Sequence, residues 1–254
     1  MGDTSYERRE YWESVAAEIG RRDSDLLLAG EATPFYRAKR QLFIDSLFKP
    51  AIEATDGTLL EVGCGPGGNL ELLERLGRKA FGVDLAATML RQASTRDITG
   101  LVQADAIALP MASRSVDSVF TVTVLQHNDD VAAARILDEI ARVSRRQVHL
   151  FEDTGVFAVH DRPSHWLRRP RWYVSAIERA GFRLETKQRV AFMVSEVMAN
   201  AVRAVGRRGR PEGEAVTPMF AHVERLLLAM TGSVDRLLPP AVGLTRLSFR
   251  RDLP

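Results

Sequence analysis

A chain of 254 residues with 45% apolar and 27% charged side chains can bury one large core, so it reads as one globular domain or a domain with additions. A net charge of +2 argues against a dedicated nucleic-acid surface, and a single cysteine excludes an intramolecular disulfide or a multi-cysteine metal site. The N-terminal residues lack an apolar signal core, and no run reaches the ~18 apolar residues of a membrane helix. The expectation is a cytoplasmic protein without stable membrane insertion.

Two amphipathic helices come first, at 5–20 and 34–48, with Pro34 at the start of the second and Pro50 just past its end. Strands and helices then alternate. Strands are expected at 58–62, 79–84, 100–104, 115–124, 147–152 and 182–190. Helices follow at 68–76 (stopped by Gly77), 86–95, 129–144 and 170–180 (stopped by Gly181). Such alternation builds a doubly wound, mostly parallel sheet with right-handed crossovers. Two further helices, 192–205 and 217–238, flank a basic, flexible linker from Gly206 to Gly213, and a last strand covers 243–250. The division this suggests is an N-terminal helical cap (1–50), an α/β domain (51–191 and 239–254) and a helical insertion between the sixth and seventh strands (192–238).

The most informative stretch is Leu59-Leu-Glu-Val-Gly-Cys-Gly-Pro-Gly-Gly68, with Asp84 and Asp105 each ending a later strand. Glycines after a buried strand let the backbone turn sharply and let a ligand approach it closely. Gly63, Gly65 and Gly68 also satisfy the dinucleotide spacing G-x-G-x-x-G, with Asp84 near the position of a ribose acid, so a NAD-dependent oxidoreductase is one reading. Glu61 and Asp105 favour another. A carboxylate just before the glycines gains nothing beside a pyrophosphate but suits the sulfonium and ammonium of S-adenosylmethionine. Asp105 adds an anchor for an adenine amino group.

This order of acid and glycines, ribose acid and adenine acid resembles motifs I to III of the class I S-adenosylmethionine-dependent methyltransferases, in their small-molecule branch. The resemblance covers about 57–190 and the final strand. It implies a seven-stranded Rossmann-like sheet with the insertion as a lid over its carboxyl edge. It also implies a cofactor site made of Glu61, the backbone of Gly63, Cys64, Gly65 and Gly67, the ribose acid Asp84, Leu85 and Met89 on the adenine face, Asp105 and Ala106 at the adenine edge, and Leu125. Cys64 itself reads as a small apolar filler.

After the fourth strand comes Thr123-Val-Leu-Gln-His-Asn-Asp129, which in such a fold ends beside the transferable methyl. Methyl transfer is an in-line displacement that gains most from alignment. A hydroxyl acceptor also needs a base, and His127 is the candidate, its alternative being a structural loop role. His160 and His165 are fallbacks. Acceptor contacts are sought in Tyr11, Tyr36, Arg37, Trp166 and Trp172. The Arg168, Arg169 and Arg171 cluster reads either as a solvated helix start or as recognition of an acidic substrate or phosphate. No metal-ligand cluster is visible. The expected partner is a small-molecule acceptor methylated on oxygen or nitrogen, not a nucleic acid, with the protein a monomer or homodimer. An amphiphilic, lipid-like or quinone-like acceptor is the alternative raised by the apolar faces of 217–238.

Overall fold

The computed structural model describes residues 7–19, 33–96, 98–162, 164–190, 192–206, 217–237 and 241–252. The basic linker at 207–213 lies outside them. The chain runs α1 (Arg8–Ile19), α2 (Pro34–Phe43), a π turn (Ile44–Phe48), α3 (Lys49–Glu53), β1 (Leu59–Val62), α4 (Gly68–Arg75), β2 (Ala80–Asp84), α5 (Ala87–Ser94), β3 (Leu101–Gln103) and β4 (Val116–Val122). It continues with α6 (Asp130–Val143), β5 (Ser144–Gly155), β6 (Val159–Arg162), β7 (His165–Leu167), α7 (Pro170–Arg179), β8 (Phe182–Val190), α8 (Met193–Gly206), α9 (Pro218–Leu237) and β9 (Val242–Arg251).

Seven strands form one sheet in the order β3-β2-β1-β4-β5-β9-β8. The pairs β2–β3, β1–β2, β1–β4 and β4–β5 are parallel, while β9 runs antiparallel between β5 and β8. The chain leaves β1 in one direction and returns on its other side as β4, so the switch point lies between these two strands. A ligand crevice opens there, at the carboxyl ends.

Period-two alternation divides the core between the two faces. Leu60, Val119 and Leu150 pack with α6 and α7, whereas Leu59, Phe120 and Phe151 pack with α3 and α4. On the second face Phe43, Phe48, Phe120 and Phe151 form an aromatic cluster with ring centroids 5.4–5.7 Å apart.

Three local features differ from the sequence reading. The second N-terminal helix does not stop before Pro50. It widens into the π turn, where the Lys49 N–H donates to the Ile44 carbonyl five residues back, and then continues through Pro50 to Glu53. The wider turn accommodates a residue that has no N–H and would clash in a regular helix. Phe43, Leu47, Phe48, Ala51 and Ile52 are buried in the core, so the end of the expected cap is part of the sheet's helical layer. Between the fifth strand and the helix expected at 170–180, where no strand was expected, lies the β6–β7 hairpin, with Trp166 stacked on His160 at 4.7 Å. β5 is also twice the expected length, running to Gly155.

Candidate active site

The glycine turn leaves β1 with Gly63, Gly65 and Gly67 all at positive φ (76°, 51° and 85°), a region that favours residues without Cβ. A Cβ on Gly63 would lie 2.4 Å from Val124, so the turn is pressed against the loop after β4; around Gly65 the space is open. A cavity of about 260 Å³ lies in front of this turn. Its wall brings together Gly63, Gly65, Asp84, Leu85, Met89, Asp105 and Ala106 with Thr123, Val124 and His127.

Each acid has a defined setting. Asp84 accepts the Gly65 N–H at 2.8 Å and the Ala86 N–H at 2.9 Å, which ties the glycine turn to the start of α5; burial pushes its carboxyl up. Asp105 accepts two hydrogen bonds from the Arg8 guanidinium (3.2 and 2.8 Å) and one from the Ile107 N–H at 3.2 Å. Arg8 also donates to the Asn128 side chain, so α1 closes the cavity from above. Glu61 is fully buried behind the turn. Its Oε1 accepts from the Asn69 amide, while Oε2 has no partner. Burial raises its pKa from 4.5 to about 8, against the pull of Asn69 and Arg40.

The loop 123–128 is held from beneath. Glu152, in the carboxyl half of β5, accepts from the Thr121 hydroxyl and the Val124 and Leu125 N–H groups, and burial pushes it up to about 7. Arg168 donates to the Leu125 and Asn128 carbonyls and to Asp130. Thr123 sits at φ 54°, a strained position for a β-branched residue. His127 Nδ1 lies 2.8 Å from the Ser164 carbonyl; a carbonyl only accepts, so Nδ1 carries the proton and Nε2 is the basic nitrogen. Trp12 meets the His127 ring edge-on at 4.9 Å.

Other expected residues lie elsewhere. Cys64 and Leu125 are buried in the two core clusters, with the Cys64 thiol pushed up by burial, and Gly67 packs on Ile98 and Ala93. Of the acceptor candidates, Tyr11 lines the cavity. Tyr36 lies under the Arg203 guanidinium, Trp172 under that of Arg168, and Trp166 on the hairpin. Arg37 is exposed; Arg40, one turn on, is the arginine that reaches the glycine turn, donating to Asn69 at 2.8 Å. Sequence reasoning missed Glu152, although an acid closing an apolar strand was the same signal that singled out Glu61. It also missed Arg8, which meets Asp105 across 97 residues with no local pattern to announce it.

Residues 60–151 match the family model described as a methyltransferase domain. The chain is 31% identical over 120 residues to a malonyl-[acyl-carrier protein] O-methyltransferase of Enterobacter lignolyticus, spanning 46% of this chain and 47% of that protein. It is 32% identical over 127 residues to a "Probable S-adenosylmethionine-dependent methyltransferase" of Mycobacterium tuberculosis, spanning 47% and 45%. The chain thus spans about half the length of the curated relatives it matches. Among solved structures, magnesium protoporphyrin IX methyltransferase of Synechocystis with bound S-adenosylmethionine superposes with a TM-score of 0.61 at 15% identity, over 99% of both chains.

The chain carries a class I S-adenosylmethionine-dependent methyltransferase domain. The family match decides between the two nucleotide readings of the glycine turn, and the cofactor is S-adenosylmethionine, not NAD. The methyltransferase domain has features that fit this group: open space at Gly65, carboxyl groups at two strand ends and an unpartnered oxygen on the buried Glu61. Among the described residues no cluster of three or more His, Cys, Asp or Glu side chains is arranged to hold a metal, and no helix is long and apolar enough to cross a membrane.

Proposed function

We propose that this chain transfers the methyl group of S-adenosylmethionine to an oxygen or nitrogen of a small-molecule acceptor, as a cytoplasmic monomer or homodimer. The observation that carries the reading is one cavity lined at once by the glycine turn, Asp84, Asp105 and His127. The bound cofactor supplies an electrophilic methyl. In this reading the turn from Gly63 to Gly67 and the buried Glu61 receive the methionine half. Asp84 takes the ribose diol on the lone pairs left after its two backbone hydrogen bonds. Asp105 and Ala106 meet the adenine edge, with Leu85 and Met89 on its face.

His127 Nε2 removes the acceptor proton, and the Ser164 carbonyl holds the ring in the tautomer that leaves this nitrogen basic. Glu152 and Arg168 are positioning residues that fix the loop carrying His127. Tyr11 and Trp12 close the cavity from α1, and α8 with α9 form the lid of the acceptor side, with residues 51–191 and 239–254 as the cofactor unit. Transfer of a radiolabelled methyl to a panel of hydroxyl and amine acceptors tests this. His127→Ala should lower turnover of a hydroxyl acceptor about 100-fold with cofactor affinity kept; full activity would return His127 to a structural role.

A second reading, an amphiphilic acceptor, is favoured by one observation. Met219, Val223, Leu226, Met230, Val234 and Leu237 recur along one face of α9 and are 39–85% exposed. A preference for acceptors with long alkyl chains over short ones would select it.

A further inference from the structure

The arginine cluster at the start of α7 divides into two functions. Arg168 is buried and spent on the His127 loop. Arg169 and Arg171 turn instead into a groove of about 470 Å³ on the carboxyl edge of the sheet, whose other wall is Lys187 and Arg189 of β8 and whose floor is Gly155, Val156 and Pro170. Four of its seven lining residues are cationic and none is acidic. Arg189 is committed to the fold, donating to Thr154, Thr245 and the Ala241 carbonyl. Lys187 and Arg171 are exposed, with no carboxylate partner among the described residues.

The surroundings add to this field. α7 begins at Pro170, its N-cap residue Arg169 makes no side-chain cap and its first turn holds no acid, so its positive end is uncompensated. Beside the cations lie the exposed Phe157, under the Arg169 guanidinium, and Val156. Converging cations next to an apolar rim suit a doubly charged anion carried on an organic group better than a lone carboxylate, and arginine forks match phosphate oxygens.

We propose that this groove is a binding site for the phosphoryl group of a phosphate ester. Its place relates it to the acceptor side. Arg189 is level with Thr245 and Glu152 in the sheet register, so the groove lies two strand spacings, roughly 10 Å, from Glu152, which holds the His127 loop. The inference rests on the methyl-transfer reading only in making the phosphate part of the acceptor; anion binding itself is independent of it.

The test is calorimetric titration of the full chain with inorganic pyrophosphate, followed in each variant by titration with S-adenosylmethionine. The wild type binds pyrophosphate. The double substitution Arg171→Glu with Lys187→Glu lowers that affinity tenfold or more with cofactor affinity unchanged, and Arg179→Glu, exposed at the far end of the same helix, leaves it at the wild-type value. Vesicles containing phosphatidic acid, assayed in parallel, separate a lipid headgroup from a soluble ester; capture lost on charge reversal supports the site equally. The proposal is overturned if the wild type binds neither probe, if Arg179→Glu is as damaging as the double variant, or if pyrophosphate competes with the cofactor. Failure of the methyl-transfer reading would appear separately, as absent cofactor binding.

Discussion

The α/β core and the α8–α9 insertion solve the burial problem in opposite ways. In the sheet, every strand of the central group buries apolar side chains on both faces, and Leu59, Leu60, Val119, Phe120, Leu150 and Phe151 are fully buried. In the insertion, α9 turns its polar side inward. Asp235 accepts the Val194 and Ser195 N–H groups at the start of α8 (2.8 and 3.1 Å), and Thr231 bonds Ser195 at 2.8 Å. Glu224 is buried near Arg203, and burial pushes its carboxyl up. Meanwhile Leu226, Met230 and Leu237 face outward, 57%, 71% and 85% exposed. Apolar packing holds the sheet whose strand ends carry the cavity. A directional polar network holds the insertion together and leaves its apolar face exposed.

The contrast is broken or sharpened most strongly in the core. Phe151→Ala should cost ~3–5 kcal/mol in urea unfolding, because the cavity left among Phe43 and Phe48 cannot collapse. A loss under about 1 kcal/mol would mean that the core is not the rigid partner.

Next in size is a pH effect peculiar to the cofactor end of the core. Glu61 and Glu152 have ordinary values of 4.5 and folded values of about 8 and about 7. With the folded pKa raised, the folded chain holds protons that the unfolded chain has released, so stability falls as pH rises through that window. His149, lowered from 6.5 to about 3, acts on the acid side and is neutral in both states well above pH 6.5. Urea unfolding between about pH 7 and 8 therefore isolates the carboxylates, with a slope of up to ~1.4 kcal/mol per pH unit for each proton. Glu61→Gln should flatten it, and an unchanged slope would contradict the buried, protonated Glu61.

The smallest expected effect is in the insertion. Leu226→Ser should change stability by no more than about 0.5 kcal/mol, since the side chain already faces outward. A loss of 2 kcal/mol or more, roughly the contribution of a buried leucine, would show that this face is covered.

The same contrast explains how much the sequence disclosed. Strands buried on both faces are written as continuous apolar runs, so β1, β4 and β5 were legible, and so were the acids Asp84 and Asp105 that line the cavity beside the glycine turn. A helix's apolar periodicity shows that a face exists and not which way it points, so the inversion of α9 was hidden. The π turn escaped because Pro50 signals a helix end unless a wider turn absorbs it. The hairpin around His165 has few β-favouring residues, and the Arg8–Asp105 contact leaves no local trace at all.

The most direct test of the cofactor site at the heart of this account is calorimetric titration of the full chain with S-adenosylmethionine and, separately, with NAD. S-adenosylmethionine should bind, weakened by roughly 2 kcal/mol or about 30-fold in Asp84→Ala through loss of charged hydrogen bonds, with no comparable binding of NAD. Tight NAD binding without S-adenosylmethionine binding, or an Asp84→Ala variant with unchanged cofactor affinity, would contradict it.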